Sequence, residues 1–179
     1  MLRRQFIKSM FGTATVFGLP IRFAYAKTYL TIEQAKQIIW PNLLFSPSPI
    51  TLTDAQAELI EEKSDIRVRN LNINAWKNSE GDWFIVDQVI GKHENIDIAV
   101  GLDNKGKVVG IEVLTYRETY GDQIMNPKWR AQFHGKDSSE HLKLDHQIKN
   151  ISGATLSCRH VTDGINRLTQ TWDLVLKHV

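Results

Sequence analysis

Apolar residues recur at two distinct periods along this chain. Val161, Ile165, Leu168, Trp172 and Val175 are spaced by four, three, four and three residues, the stripe of an amphipathic helix near the C-terminus. Ile96, Ile98, Val100 and Leu102 alternate instead, which predicts a strand with one buried face. A second apolar run, 108–114, follows after Asp103-Asn104-Lys105-Gly106, so 96–102 and 108–114 are expected to form a hairpin. Residues 83–90 are rich in β formers and 68–75 alternate in part, which adds two strands. Upstream, Leu30-Thr31-Ile32-Glu33-Gln34-Ala35 and Leu52-Thr53-Asp54-Ala55-Gln56-Ala57 repeat the pattern L-T-x-x-Q-A. T-x-x-Q is a capping box, so each marks a helix start. Pro41, Pro47 and Pro49 lie between them and break the chain there. The polar stretch 115–150 is expected to wrap one edge of the sheet. The prediction is an α+β fold, a mostly antiparallel sheet covered by helices. Residues 27–65 form a helical segment and 66–179 the main domain. Trp76, Trp83 and Trp172 are assigned to the core.

The first 26 residues have a different character. Arg3-Arg4-Gln5-Phe6-Ile7-Lys8 resembles a twin-arginine export signal, with Leu2 where Ser or Thr is usual. A moderately apolar run, Met10 to Ile21, follows, and Ala24-Tyr25-Ala26 supplies an A-x-A cleavage site. These features predict export to the periplasm with cleavage after Ala26. The alternative is an N-terminal membrane anchor, but the run is short and broken by Gly12, Gly18 and Pro20, whereas a span needs roughly 20 residues. The segment also carries Arg3, Arg4, Lys8 and Arg22 and no acid. Without it 18 basic residues face 20 acidic ones, so the basic character of the full chain belongs mostly to the signal. Nothing points to nucleic-acid binding.

Few residues suggest chemistry on a separate substrate. Cys158 is the single cysteine, which excludes an intrachain disulfide and iron–sulfur or haem spacing. It either packs as a small apolar residue or touches a bound group. The six histidines have no metal-ligand spacing, and neither G-x-G-x-x-G nor G-x-x-x-x-G-K-[ST] occurs. No catalytic acid, base or nucleophile is assigned, and no metal ligand.

Ser152-Gly153-Ala154-Thr155-Leu156-Ser157 is the exception. It matches the S-G-A-T-x-[ST] pattern at which FMN is joined to protein through a threonine phosphoester, with Thr155 as acceptor. Small neighbours leave room for a bulky phosphate, and Ser152 and Ser157 can bond its oxygens. Thr155 or Ser157 is a natural N-cap for the helix that follows, and a helix N-terminus favours an anion. A plain turn and cap is the alternative reading of these residues alone.

Three further motifs accompany it in order. Ile98 to Ile111 holds a strand, Asp103-x-x-Gly106, and a second apolar strand; Glu118-Thr119-Tyr120-Gly121 follows; then Trp129 through Phe133-His134-Gly135-Lys136. Over residues 95–172 the chain thus resembles the covalent-FMN domains found in the C-type subunit of the sodium-pumping NADH:quinone oxidoreductase and the G-type subunit of the Rnf complex. Tyr120 stands where that FMN-binding domain family usually has proline, and Lys149 where it often has aspartate. The resemblance implies a single FMN-binding domain with FMN attached covalently to Thr155, non-covalent binding being the alternative. It also implies a separate magnesium-dependent flavin transferase that uses FAD as donor. Residues 115–150 would supply the flavin pocket. Ser152, Gly153, Ala154, Leu156, Ser157, Glu118, Thr119 and Trp129 are the implied cofactor neighbours. For Glu118 the readings are a bond to the ring or ribityl chain, or a solvated turn; for Trp129, a flavin neighbour or core. The expected function is an electron carrier between membrane or periplasmic redox proteins. The alternatives are a periplasmic flavin-dependent reductase acting on a small substrate and an accessory subunit of a membrane redox complex.

Overall fold

The structure, a computed structural model, describes residues 27–179; the expected export signal lies outside the described residues. Two short strands and two helices come first: β1 (Lys27–Thr28), α1 (Ile32–Ile39), β2 (Ser46–Pro47), β3 (Ile50–Thr51) and α2 (Asp54–Ser64). The main strands follow as β4 (Asn72–Lys77), β5 (Trp83–Ile90), β6 (Asn95–Leu102) and β7 (Val108–Tyr116). A one-turn helix α3 (Pro127–Arg130), flanked by short 3-10 turns, and the long helix α4 (Thr155–Leu174) come next, and a last 3-10 turn, Leu176–His178, follows. The sheet order is β1-β7-β6-β5-β4-β2, with β3 also paired to β4. Every pairing is antiparallel. This is the α+β architecture that the hydrophobic pattern predicts.

Both early helices start at their capping boxes. Thr31 and Thr53 each accept from the backbone N–H three residues on, and Gln34 and Gln56 return the bond, which satisfies two otherwise orphaned donors per helix. The strand expected at 68–75 is displaced, because its first half has other partners. Val68 N–H donates to Glu61 Oε1 at 2.7 Å and the Leu71 carbonyl accepts from Leu52 at 2.8 Å. Only from Asn74 does the chain pair with β5.

The sheet is covered on both faces. Ile96, Ile98, Val100 and Leu102 point to the face on which Val161, Ile165 and Leu168 of α4 pack. Val175, at the end of the predicted stripe, leaves that face and packs with Leu52 and Ile60 beside α2. On the opposite face Ala35 of α1 meets Phe84, Ala99 and Leu114. There Gly101 of β6 pairs with Gly110 of β7 and leaves a trough for Ile39 and Trp40. A Cβ on Gly101 would come within 2.5 Å of the Trp40 ring and 2.6 Å of Ile39. Trp83 is buried, whereas Trp76 is half-buried against Phe84 at 5.7 Å and Trp172 is half-buried at the core margin.

Residues 122–136 run along the outer edge of β7, as expected for the polar stretch. Gly135 N–H bonds to the Val108 carbonyl and Val108 N–H to the Lys136 carbonyl, both at 2.8 Å. Arg130 fastens the other end. Its Nε donates to the Ile111 carbonyl at 2.8 Å, one terminal nitrogen to the Met125 carbonyl, and the other to both oxygens of Glu112 at 2.9 and 2.8 Å.

Gly101→Ala is expected to lift α1 off the sheet and lower stability by about 1–3 kcal/mol, the range for overpacking. The unfolding midpoint in urea, followed by tryptophan fluorescence, measures it. An unchanged midpoint would show that Trp40 and Ile39 can move aside freely.

Candidate functional site

The S-G-A-T segment is a tight turn leading straight into α4. Ala154 N–H bonds to the Ile151 carbonyl at 3.0 Å and Cys158 N–H to the Ala154 carbonyl at 2.9 Å. Ser152 and Gly153 are exposed and Ala154 is buried. Helix α4 begins at Thr155, with Ala154 in the N-cap position and no side-chain cap. The expectation that Thr155 or Ser157 caps the helix is therefore corrected, and both hydroxyls have other partners. Thr155 Oγ1 accepts from Asn150 Nδ2 at 3.1 Å. Ser157, buried, shares a 2.9 Å bond with the Tyr116 hydroxyl. The first turn also holds no acid, so the helix dipole meets no negative side chain of its own turn.

The chain before the turn is fixed from α3 and the short turn that follows it. Trp129 Nε1 donates to the Lys149 carbonyl at 2.7 Å. Lys149 N–H donates to Gln132 Oε1 at 2.8 Å, and Gln132 Nε2 in turn donates to the Trp129 carbonyl at 3.1 Å. Trp129 is buried and packs edge-on against Phe133, their ring centres 5.2 Å apart. Its place is thus beneath the Lys149 segment, as a support.

The E-T-Y-G loop is held against the same helix end. Tyr116 donates its hydroxyl proton to the Tyr120 carbonyl at 2.5 Å while bonded to Ser157. Gly121 has φ 97°, a left-handed conformation open to glycine. A Cβ there would meet Ser157 Oγ at 2.5 Å and the Tyr116 hydroxyl at 2.6 Å. Glycine thus lets the loop close on the first turn of α4. Burial pushes the Tyr116 phenol above its ordinary pKa, against the opposing bond from Ser157. Tyr120 is 82% exposed and Leu156 41% exposed, so two apolar side chains face solvent on the two segments that Tyr116 joins. Thr119 is exposed. Glu118 is turned towards the β5–β6 connection, where its Oε1 accepts from His93 and Glu94 N–H at 2.5 and 3.0 Å. Partial burial works to raise that carboxyl's pKa, but the N–H groups of Glu94, His93 and Lys92 outweigh it and hold the group below the usual range. Cys158 is fully buried in the core, and burial raises its thiol pKa.

Thr155 borders a cavity of about 290 Å³ that also touches His141, Lys143, Arg159, Asp145 and Asp163. Leu142, which lines it, is held from α4 by Asn166, whose side chain accepts from Leu142 N–H and donates to the Leu142 carbonyl, both at 2.9 Å. Burial raises the Asp163 pKa, with His160 and Arg159 opposing the shift. A larger cleft of about 1040 Å³ lies between β5, residues 66–74 and α4; Asp163 borders it too, but Thr155 does not. Among the described residues no cluster of His, Cys, Asp and Glu is arranged to hold a metal ion.

The structure thus brings Thr155, Ala154, Leu156 and Ser157 together with the Glu118–Gly121 loop at one end of α4, over a support made by Trp129. Sequence reasoning missed Asn150, Gln132, Asn166, Lys143 and Arg159. The cue available for Asn166 is a polar residue next to Ile165 on the packed helix; Asn150 and Gln132 carry no periodic signal.

Comparison with known proteins bears on the family. Residues 91–170 match the family described as the FMN-binding domain, a range that takes in both strands of the hairpin, the loop and most of α4. Over 163 residues the chain is 30% identical to the G-type subunit of the ion-translocating oxidoreductase complex of Shewanella piezotolerans, and the match covers 79% of this chain and 76% of that protein. With the turn, the helix start and the loop arranged as they are, and with this match in sequence, the chain belongs to the FMN-binding domain family.

Proposed function

We propose that this chain is an exported flavoprotein that holds FMN as a phosphoester on Thr155 and passes electrons between redox proteins. The observation that carries the reading is the uncapped start of α4 at Thr155. There the hydroxyl borders a cavity with Lys143 and Arg159. A phosphate at that hydroxyl would meet the unpaired N–H groups and positive dipole end of the helix. Exposed Ser152 is free to bond a phosphate oxygen, while exposed Leu156 and Tyr120 supply apolar contact for a flat ring. Attachment forms one bond from Thr155 Oγ1 to phosphorus and breaks the pyrophosphate of FAD. AMP leaves, and the hydroxyl proton passes to a base of the magnesium-dependent transferase. When bound, the flavin supplies chemistry that accepts one electron or two. The protein's residues anchor the phosphate, leave the apolar edge open towards partners and keep Cys158 away in the core. The relative's name, which places it in an ion-translocating oxidoreductase complex, supports a membrane redox complex as the source or sink of electrons. Residues 1–26 support export by the twin-arginine route.

After co-expression with a flavin transferase, the intact mass is expected to rise by one FMN less water. Thr155→Ala should abolish the gain and Thr155→Ser should keep part of it. Attachment that persists in Thr155→Ala would reject the assignment.

N-terminal sequencing of the exported protein is expected to begin at Lys27. Replacing Arg3 and Arg4 by lysine should leave the precursor inside the cell. Mature protein that stays in the membrane with its first residues intact would favour the anchor instead.

The loaded protein, reduced chemically, is expected to be reoxidised rapidly by washed membranes of its own cells and slowly by small acceptors. Efficient turnover of a small substrate by the isolated protein would support the reductase reading, for which the larger cleft offers space.

A further inference from the structure

Asn150 has a single side-chain hydrogen bond, and it ends on Thr155. Its Nδ2 donates to Thr155 Oγ1 at 3.1 Å, while its Oδ1 is buried and has no partner. Turning the amide over would exchange the two atoms and leave the nitrogen unpaired in the same place. Either way one polar atom is buried unsatisfied, which costs free energy. For stability alone, an apolar side chain of similar size would serve better at this position.

The backbone leading into Asn150 is unusually constrained. The N–H and the carbonyl of Lys149 are both taken by side chains, Gln132 and Trp129, at 2.8 and 2.7 Å. Those two residues are also bonded to each other. Asn150 therefore departs from a fixed point and reaches one target.

We infer that Asn150 is a positioning residue for the acceptor hydroxyl, holding the Thr155 side chain in one rotamer at the mouth of the cavity. The inference rests on the phosphoester reading of Thr155. An amide donor suits both ends of that reaction. A threonine hydroxyl can accept a hydrogen bond and so can the bridging oxygen of its phosphate ester, whereas only the free hydroxyl can donate one. The Nδ2 contact can thus persist through attachment. A carboxylate at position 150 could bond to the free hydroxyl alone, and it would repel the phosphate once attached.

The test compares wild type, Asn150→Ala and Asn150→Asp, all prepared without flavin. Three quantities are read: the Hα–Hβ coupling of Thr155 by NMR, the urea unfolding midpoint, and the rate of mass gain with limiting transferase, FAD and magnesium. Wild type should show the coupling of one rotamer and Asn150→Ala an averaged value. The attachment rate should fall about three- to tenfold in Asn150→Ala, the effect of one lost hydrogen bond, and further in Asn150→Asp. The midpoint of Asn150→Ala should hold or rise. A wild-type coupling and rate in Asn150→Ala would overturn the inference, and so would a large loss of stability in that variant, which would make Asn150 a residue of the fold. If Asn150→Ala does not fold, Asn150→Leu, which keeps the size and removes the donor, decides by the same coupling and rate. If wild type takes up no flavin at Thr155, the phosphoester reading fails, and the couplings alone then decide whether Asn150 orients that side chain.

Discussion

The position of the site depends on how closely α4 lies on the sheet. Gly164, in the middle of the packed stretch, rests against β5, and a Cβ there would come within 2.5 Å of a Val89 methyl group. With no side chain in the way, Val161, Ile165 and Leu168 reach the Ile96, Ile98 and Val100 face. A close-packed contact of this kind resists sliding, because any shift forces side chains from their rotamers. The first turn of the helix is therefore placed by the core, although Leu156 within it and Ser152 and Gly153 just before it face solvent. Gly164 on one face and Gly101 on the other solve the same problem, a helix brought close to the sheet.

From that fixed helix the surrounding loops are assembled by polar contacts. Asn166 draws in the Leu142 segment, Tyr116, bonded to Ser157 of α4, draws in the Tyr120–Gly121 loop, and Trp129 with Gln132 draws in Lys149. Arg130 carries the same order back to β7 through Ile111 and Glu112. Each clamp uses a side chain from a regular element or from a turn that is itself tied to one. Irregular segments can thus hold a defined geometry without strand or helix pairing, since most of their demanding backbone groups find partners. The long polar stretch between β7 and α4 behaves as one wall of the site.

Much of the fold could be read from periodicity, because burial on one face imposes it directly. Strands β5, β6 and β7 and helices α1, α2 and α4 all follow their predicted patterns. Strands β1, β2 and β3 have two residues each, too few for a period to show. The start of β4 was misplaced because Val68 and Leu71 look like strand residues while their backbone groups serve α2 and β3. At the candidate site, Thr155 is marked in the sequence by the S-G-A-T motif. Its partner Asn150 is not, since a contact between side chains five residues apart across a turn depends on that turn's geometry. The helix cap failed for a related reason. Thr155 and Ser157 are both good capping residues, but Asn150 and Tyr116 engage them first.

An uncapped helix start is a deficit in the bare chain and a benefit once an anion is fixed there. Helix α1 and helix α2 each have a full capping box and an acid in the first turn; α4, the longest of the described helices, has neither. A missing cap costs about 0.5–2 kcal/mol, and α4 can bear this because its apolar stripe is anchored in the core. The same absence leaves backbone donors and the positive dipole end open beside the Thr155 hydroxyl. A phosphate tied to that oxygen would do the capping itself, with Lys143 and Arg159 bordering the same cavity. In that arrangement the cofactor's anchor would complete the helix, and holding the phosphate and stabilising the end of α4 would become one interaction.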